Sequence, residues 1–209
     1  MGGSLLYFSV KKRKKENVCQ HYLADKKVFQ LLEKCDTDLA EECRQGGCLV
    51  CSGKLHRANY ERKPRGGPQG LEKQTVYRDS FCCDQRNCRK RHTPPSVRFL
   101  GRKVYWGIVV TLVSAMRHGL KAERVAALRE SLGMDRRTLE RWRQWWLETF
   151  LQSSFWKAAR ARFMPLVCEQ TLPWSLTEAF GMGRRDKLLE LLRFLGPLTI
   201  DWAPIAGGF

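Results

Sequence analysis

Five cysteines in two short clusters constrain this chain more than any other feature: Cys48-Leu49-Val50-Cys51-Ser52-Gly53, then Cys82-Cys83 and Cys88. A Cys-x-x-Cys turn puts two thiols on one tight loop, and a glycine two residues after the second can take positive φ and turn backbone N–H groups toward the sulfurs. Two further ligands complete a tetrahedral site. Cys88 is one, and Cys82 or Cys83 is the other. Alternation over Thr75 to Phe81 groups Tyr77, Asp79, Phe81 and Cys83 on one face, with Val76, Arg78, Ser80 and Cys82 on the other. An apolar side made by Tyr77 and Phe81 favours Cys83, with Cys82 as the alternative. His92, in Cys-x-x-x-His spacing from Cys88, could substitute as a ligand but reads as a surface histidine in a basic loop. The expected ion is a structural zinc, since four sulfurs leave no open coordination position for a catalytic water. Cys19, Cys35, Cys43 and Cys168 are not expected to bind it.

The gap from Cys51 to Cys82 exceeds the roughly 15–20 residues usual between such knuckles. Its extra length fits a basic, Pro/Gly-rich loop from Arg62 to Gly70 between a strand at Leu55 to Tyr60 and another at Thr75 to Phe81. A third strand is expected at Ser96 to Leu100. The expectation is a three-stranded zinc ribbon over residues 45–101, studded with Arg62, Lys63, Arg65, Arg86, Arg89, Lys90 and Arg91.

Charge supports a polyanionic partner, because 38 Lys and Arg face 21 Asp and Glu, a net +17. The excess is local: residues 41–103 hold 15 basic residues against six acids, a net +9, while the other segments are nearer balance. The run Lys11 to Lys15 is expected to be a solvated tail. With 43% hydrophobic and 11% aromatic residues the chain should fold. No apolar run approaches the roughly 20 residues of a membrane span, and no export signal is recognisable, so a reducing, cytoplasmic setting is expected.

Helical patterning covers residues 17–42 and nearly everything after Gly101. Val104 to His118 is an apolar helix, Lys121 to Leu132 carries Val125, Leu128 and Leu132 on one face, and Asp135 is a good N-cap for a third helix running to about Leu151. A short Gly-containing turn between the last two fits a helix-turn-helix at 102–152. Leu139, Trp142 and Trp146 should face the core. Arg136, Arg137, Arg141 and Gln144 lie on the other face, where Arg and Gln near a helix N-terminus can read guanine and adenine edges in double-stranded DNA. Trp145, Trp146, Phe150, Phe155 and Trp156 fit a helix–helix core better than a base-stacking set. Over 153–209, Leu172-Pro173 marks a boundary, and Lys187 to Leu195 is an amphipathic helix that either finishes the core or forms a dimer seam. Residues 1–44 make a basic leader and an N-terminal helix.

The run Cys48 to Gly66, with Phe81-Cys82-Cys83 and Cys88 through Arg102, resembles a family of uncharacterised bacterial zinc-ribbon proteins. In layout, a ribbon followed by a helix-turn-helix, the chain is similar to the N-terminal DNA-binding part of DDE transposases. The resemblance implies DNA binding associated with mobile elements. A catalytic acidic triad on a mixed sheet is not recognisable in the sequence, nor is a His-x-Glu deaminase motif or a Walker loop. The expected protein is therefore a nucleoid-associated, non-catalytic DNA-binding factor that is α+β and mostly α, acting alone, as a homodimer or with a transposase or recombinase. An RNA-binding or RNA-polymerase-associated zinc protein and a degenerate transposase fragment are the alternatives.

Overall fold

Asp25 opens a long helix by accepting the backbone N–H of Lys27 at 2.9 Å. In the computed structural model, which describes residues 22–100, 105–115, 121–180 and 184–200, this helix is α1 (Lys26–Gly46). Residues 17–21 of the expected helix, Cys19, the Lys11 to Lys15 run and the ends of the expected Val104 to His118 helix lie outside the described residues. The inner stripe of α1 is Val28, Phe29, Leu32, Cys35, Asp36 and Ala40, the three-to-four spacing of a helix packed on one side. It ends where Gly47 turns to φ 70°.

Five short strands follow: β1 (Leu55–Arg57), β2 (Tyr60–Glu61), β3 (Tyr77–Arg78), β4 (Phe81–Cys83) and β5 (Arg91–His92). They form an antiparallel three-stranded sheet in the order β1-β4-β5, with Leu55 opposite Cys83 and Phe81 opposite His92, and a β2-β3 pair with Tyr60 opposite Arg78. Each long strand expected from the sequence is thus broken in two. Asn59 occupies the break, its Nδ2 donating to Asp79 Oδ1 and its Oδ1 accepting the Ser80 N–H, both at 3.1 Å. The side-chain phase slips there, so Arg78 and Ser80 are buried before the break and Phe81 and Cys83 after it. Tyr77, expected on the apolar side, is 41% exposed.

The third strand is also not where the pattern placed it. Ser96 to Leu100 is an irregular segment in which every residue is buried, and β5 takes the third position in the sheet. Asp36 organises the segment. Its carboxylate accepts the Ser96 hydroxyl at 2.5 Å, the Val97 N–H at 2.6 Å and Arg98 Nε at 2.7 Å. Arg98, 2% exposed, also donates to the Thr75 carbonyl at 2.8 Å and to Asp79 at 3.3 Å. A buried charge is tolerable only with such complete pairing.

The helices are α2 (Gly107–Ser114), α3 (Ala122–Leu132), α4 (Arg136–Gln144, continuing through a π-turn at Trp145–Thr149 to Gln152), α5 (Ser154–Ala159), α6 (Trp174–Glu178) and α7 (Arg184–Leu195). Gly133 ends α3 in the left-handed conformation at φ 64°, and Asp135 caps α4 by accepting the Thr138 N–H at 2.6 Å. Leu139, Trp142 and Trp146 are buried as their spacing required. Trp145, Trp146, Phe150, Phe155 and Trp156 pack ring on ring as core. Leu188, Leu191, Leu192 and Leu195 of α7 close that same core. Trp106 ties α1 to the Ser96 to Leu100 segment, meeting Phe29 of α1 edge-on at 5.1 Å and stacking on Phe99 at 5.3 Å. The molecule is mixed α+β and mostly helical with a small antiparallel sheet. Among the described residues no helix is long and apolar enough to cross a membrane.

Candidate metal centre

Two loops converge at one end of the sheet. The first is closed by Cys48 N–H to the Gly53 carbonyl at 2.9 Å and Ser52 N–H to the Cys48 carbonyl at 2.7 Å; the second by Cys88 and Arg89 N–H to the Gln85 carbonyl at 2.9 and 3.0 Å. The residue after the last cysteine of each loop is left-handed, Ser52 at φ 56° and Arg89 at φ 46°. Gly53, expected to take that conformation, serves instead by having no side chain: a Cβ there would come within 2.6 Å of Gln85 Cγ and 3.0 Å of Cys83 Sγ.

The convergence brings together Cys48, Cys51, Cys83 and Cys88, whose sulfurs all lie within 4.8 Å of one another. Cys48 and Cys88 are 3.6 Å apart, Cys51 and Cys83 3.4 Å. Of the two adjacent candidates Cys83 is the one in the cluster. Cys82 points away, its thiol directed at the carbonyls of Cys83 and Arg89. His92 is not an open-loop histidine, because pairing with Phe81 in the sheet sets its Nε2 3.2 Å from Cys48 Sγ. A two-residue strand carries too little pattern to be read, although the Cys-x-x-x-His spacing was a usable signal.

Charge is unevenly supported across the four thiols. Burial raises Cys48, but the backbone N–H groups of Val50 and Cys51, with His92 and Cys88, outweigh it and bring the thiol down to about 6. Burial dominates at Cys83, and with the neighbouring thiols pushes it up to about 12 against the Gln85 N–H. Four thiols at this separation cannot all ionise unaided, whereas a bound cation removes the conflict. The cluster is therefore compatible with a metal site. Beneath it lies a very small apolar core of Ala40, Cys48, Leu55, Phe81 and Cys83, with Cys43 against it. Cys35 is buried against Arg193 and Cys168 is exposed, both outside the cluster.

No family model, curated protein or solved structure matches the chain.

The basic candidates divide into three groups. Arg86, Arg89, Lys90 and Arg91 are exposed around the second loop, Arg91 lying over the Tyr60 ring at 5.9 Å. Lys63 and Arg65 are exposed on the Pro/Gly-rich loop, while Arg62 is half-buried over Phe99 at 5.7 Å. That loop is seated on α2 and the residue before it: a Cβ at Gly66 would come within 3.2 Å of Val109 Cγ1, and one at Gly67 within 2.5 Å of Trp106 Nε1. On α4, Arg136, Arg137, Arg141 and Gln144 are all exposed. Arg136 pairs with Glu140 at 2.9 Å, Arg141 donates to Thr138 Oγ1 at 3.1 Å and Gln144 to Glu148 at 2.9 Å. Tyr105 connects the last two groups. Its backbone bridges Arg65, its ring meets Trp142 edge-on at 5.1 Å, and its hydroxyl donates to the Gly133 carbonyl at 3.2 Å.

Proposed function

We propose that the protein is a non-catalytic, sequence-specific binder of double-stranded DNA whose sheet is a zinc ribbon and whose α3–α4 pair is a helix-turn-helix. The preassembled four-thiol cluster carries the metal part. A tetrahedral Zn–S₄ site with bonds of about 2.3 Å has sulfurs roughly 3.8 Å apart, near the two separations given above. Zinc would tie the loops together and leave the chemistry to the surface. Cys48, Cys51, Cys83 and Cys88 are its ligands, and His92 supports Cys48 from behind, as outer partners of metal ligands do.

The DNA part is supported by the link through Tyr105, which joins the loop bearing Lys63 and Arg65 to the turn that begins α4. Arg65 and Lys90 meet phosphates in this reading, and Arg137 and Arg141 reach base edges from the N-terminal half of α4 in the major groove. By its layout the protein acts as an accessory or regulatory factor of a mobile element. Binding to a selected site and to random duplex separates the roles. Arg137→Ala should cost about 1–3 kcal/mol on the preferred site and much less on random DNA. Arg65→Ala should weaken both alike and lower the salt slope by about one unit. Equal losses on both duplexes for Arg137→Ala and Arg141→Ala would reject α4 as the reading helix.

A further inference from the structure

Leu49 and Val50 stand in water at the tip of the first cysteine loop, 72% and 63% exposed. Their neighbours Cys48 and Cys51 are fixed by the cluster, so the pair is held out on a rigid turn. Val50 forms one wall of an open cleft of about 600 Å³ on the outer side of the cysteine cluster, floored by Cys51 and Cys88 and continuing over Ser52, Gly53, Gln85, Asn87 and Lys90. We propose that this cleft binds one unpaired nucleotide of single-stranded DNA. The inference rests on the DNA-binding reading and extends it to the strand where it leaves the duplex.

The chemistry of the walls selects a nucleobase. A base has two apolar faces and a polar edge, and apolar side chains can pack against an unstacked face. Val50 offers such a surface in the cleft wall, and the exposed Leu49 extends it at the loop tip. The polar edge meets amides: Gln85 lines the cleft over the bare Cα of Gly53, and its Nε2 donates to Asp84 Oδ1 at 2.8 Å, which leaves its amide oxygen as an acceptor. Asn87 adds a second, exposed amide. Arg86, Arg89 and Lys90 are exposed on the same loop, placing cations where the adjoining phosphates would run. A duplex cannot use this cleft, because its base faces are covered by stacking. An uncharged apolar peptide would leave the three cations without partners.

The test uses the full, zinc-loaded chain and fluorescence anisotropy against a single-stranded DNA 12-mer, the same sequence as RNA, and a blunt duplex. The Leu49→Ser, Val50→Ser double variant should weaken single-stranded DNA binding roughly tenfold or more. It should change duplex binding less than about twofold and keep its zinc. Asn87→Ala should move in the same direction by a smaller factor. Crosslinking from 5-iodouracil in the 12-mer should map to residues 49–53 or 85–90. Equal losses on single strand and duplex, crosslinks only elsewhere, or tighter binding to RNA than to DNA would each overturn the proposal. If the single-strand dependence holds while no duplex binds, the helix-turn-helix reading fails and the cleft stands.

Discussion

The sheet end and the helical end of this molecule are held together by different means. The helical end buries Trp106, Trp146, Trp156, Phe150, Leu176 and Leu191 in one continuous core that also recruits α1. The sheet end has two- and three-residue strands over an apolar cluster of five buried residues, two of them cysteines of the site. At about 1.5–3 kcal/mol for each large buried side chain, the first region can support itself. The second buries too little for that, and a metal held by the four thiols would supply the missing crosslink.

Removing the metal is therefore the largest perturbation expected. On the zinc reading, chelation should cost exchange protection in residues 48–57 and 81–92, while residues 108–110 and 188–195 stay protected. Uniform loss, or none, would erase the contrast. Cys83→Ser should reproduce the chelated state and Cys82→Ser should not, as read by metal content after purification.

The two ends also differed in how far the sequence disclosed them. On α4 the apolar residues recur with helical spacing, so the buried face of Leu139, Trp142 and Trp146 was legible residue by residue. At the sheet end Cys48, Cys51 and Cys88 were legible from spacing. Cys83 was correctly favoured over Cys82 partly for a wrong reason, since Phe81 does pack beside it but Tyr77 does not. Alternation assumes an unbroken strand, and the Asn59 plug shifts its phase at Ser80. Ser96 to Leu100 misled for another reason. Its Ser-Val-Arg-Phe-Leu pattern imitates a half-exposed strand, yet Arg98 is buried by a partner 62 residues away. One signal was present: Asp36 sits in register with Leu32 and Ala40 on the inner stripe of α1, where an acid needs a buried cation.

That pair joins α1 to the Ser96 to Leu100 segment, and Arg98 extends the link to Asp79 beside the sheet. Asp36→Ala should destabilise the chain by about 3–5 kcal/mol in urea unfolding, because Arg98 would be left charged and buried. Joint replacement, Asp36→Leu with Arg98→Met, should recover much of the loss, since two apolar groups leave no uncompensated charge. Failure of the double variant to recover would mean that the acceptors for Ser96 and Val97, rather than the ion pair, hold the latch.

The smallest effect expected sharpens the contrast in acid. The Asp135 carboxyl is held below the usual carboxylate range, chiefly by the Thr138 N–H, then by its hydroxyl, with Arg141 and Arg137 adding to the effect. A folded-state value below the unfolded one of about 4 means that the cap contributes its stability above that pH. The contribution is lost as pH falls from there through the lower folded value. Asp135→Asn keeps a good N-cap that does not titrate. Below pH 4, where protonated thiols would already have released the metal in both proteins, wild type should lose exchange protection at the start of α4 relative to the Asn variant, and regain it as pH is raised. A difference between the two that did not change with pH would show that the cap's charge contributes nothing, leaving the helical end dependent on packing alone.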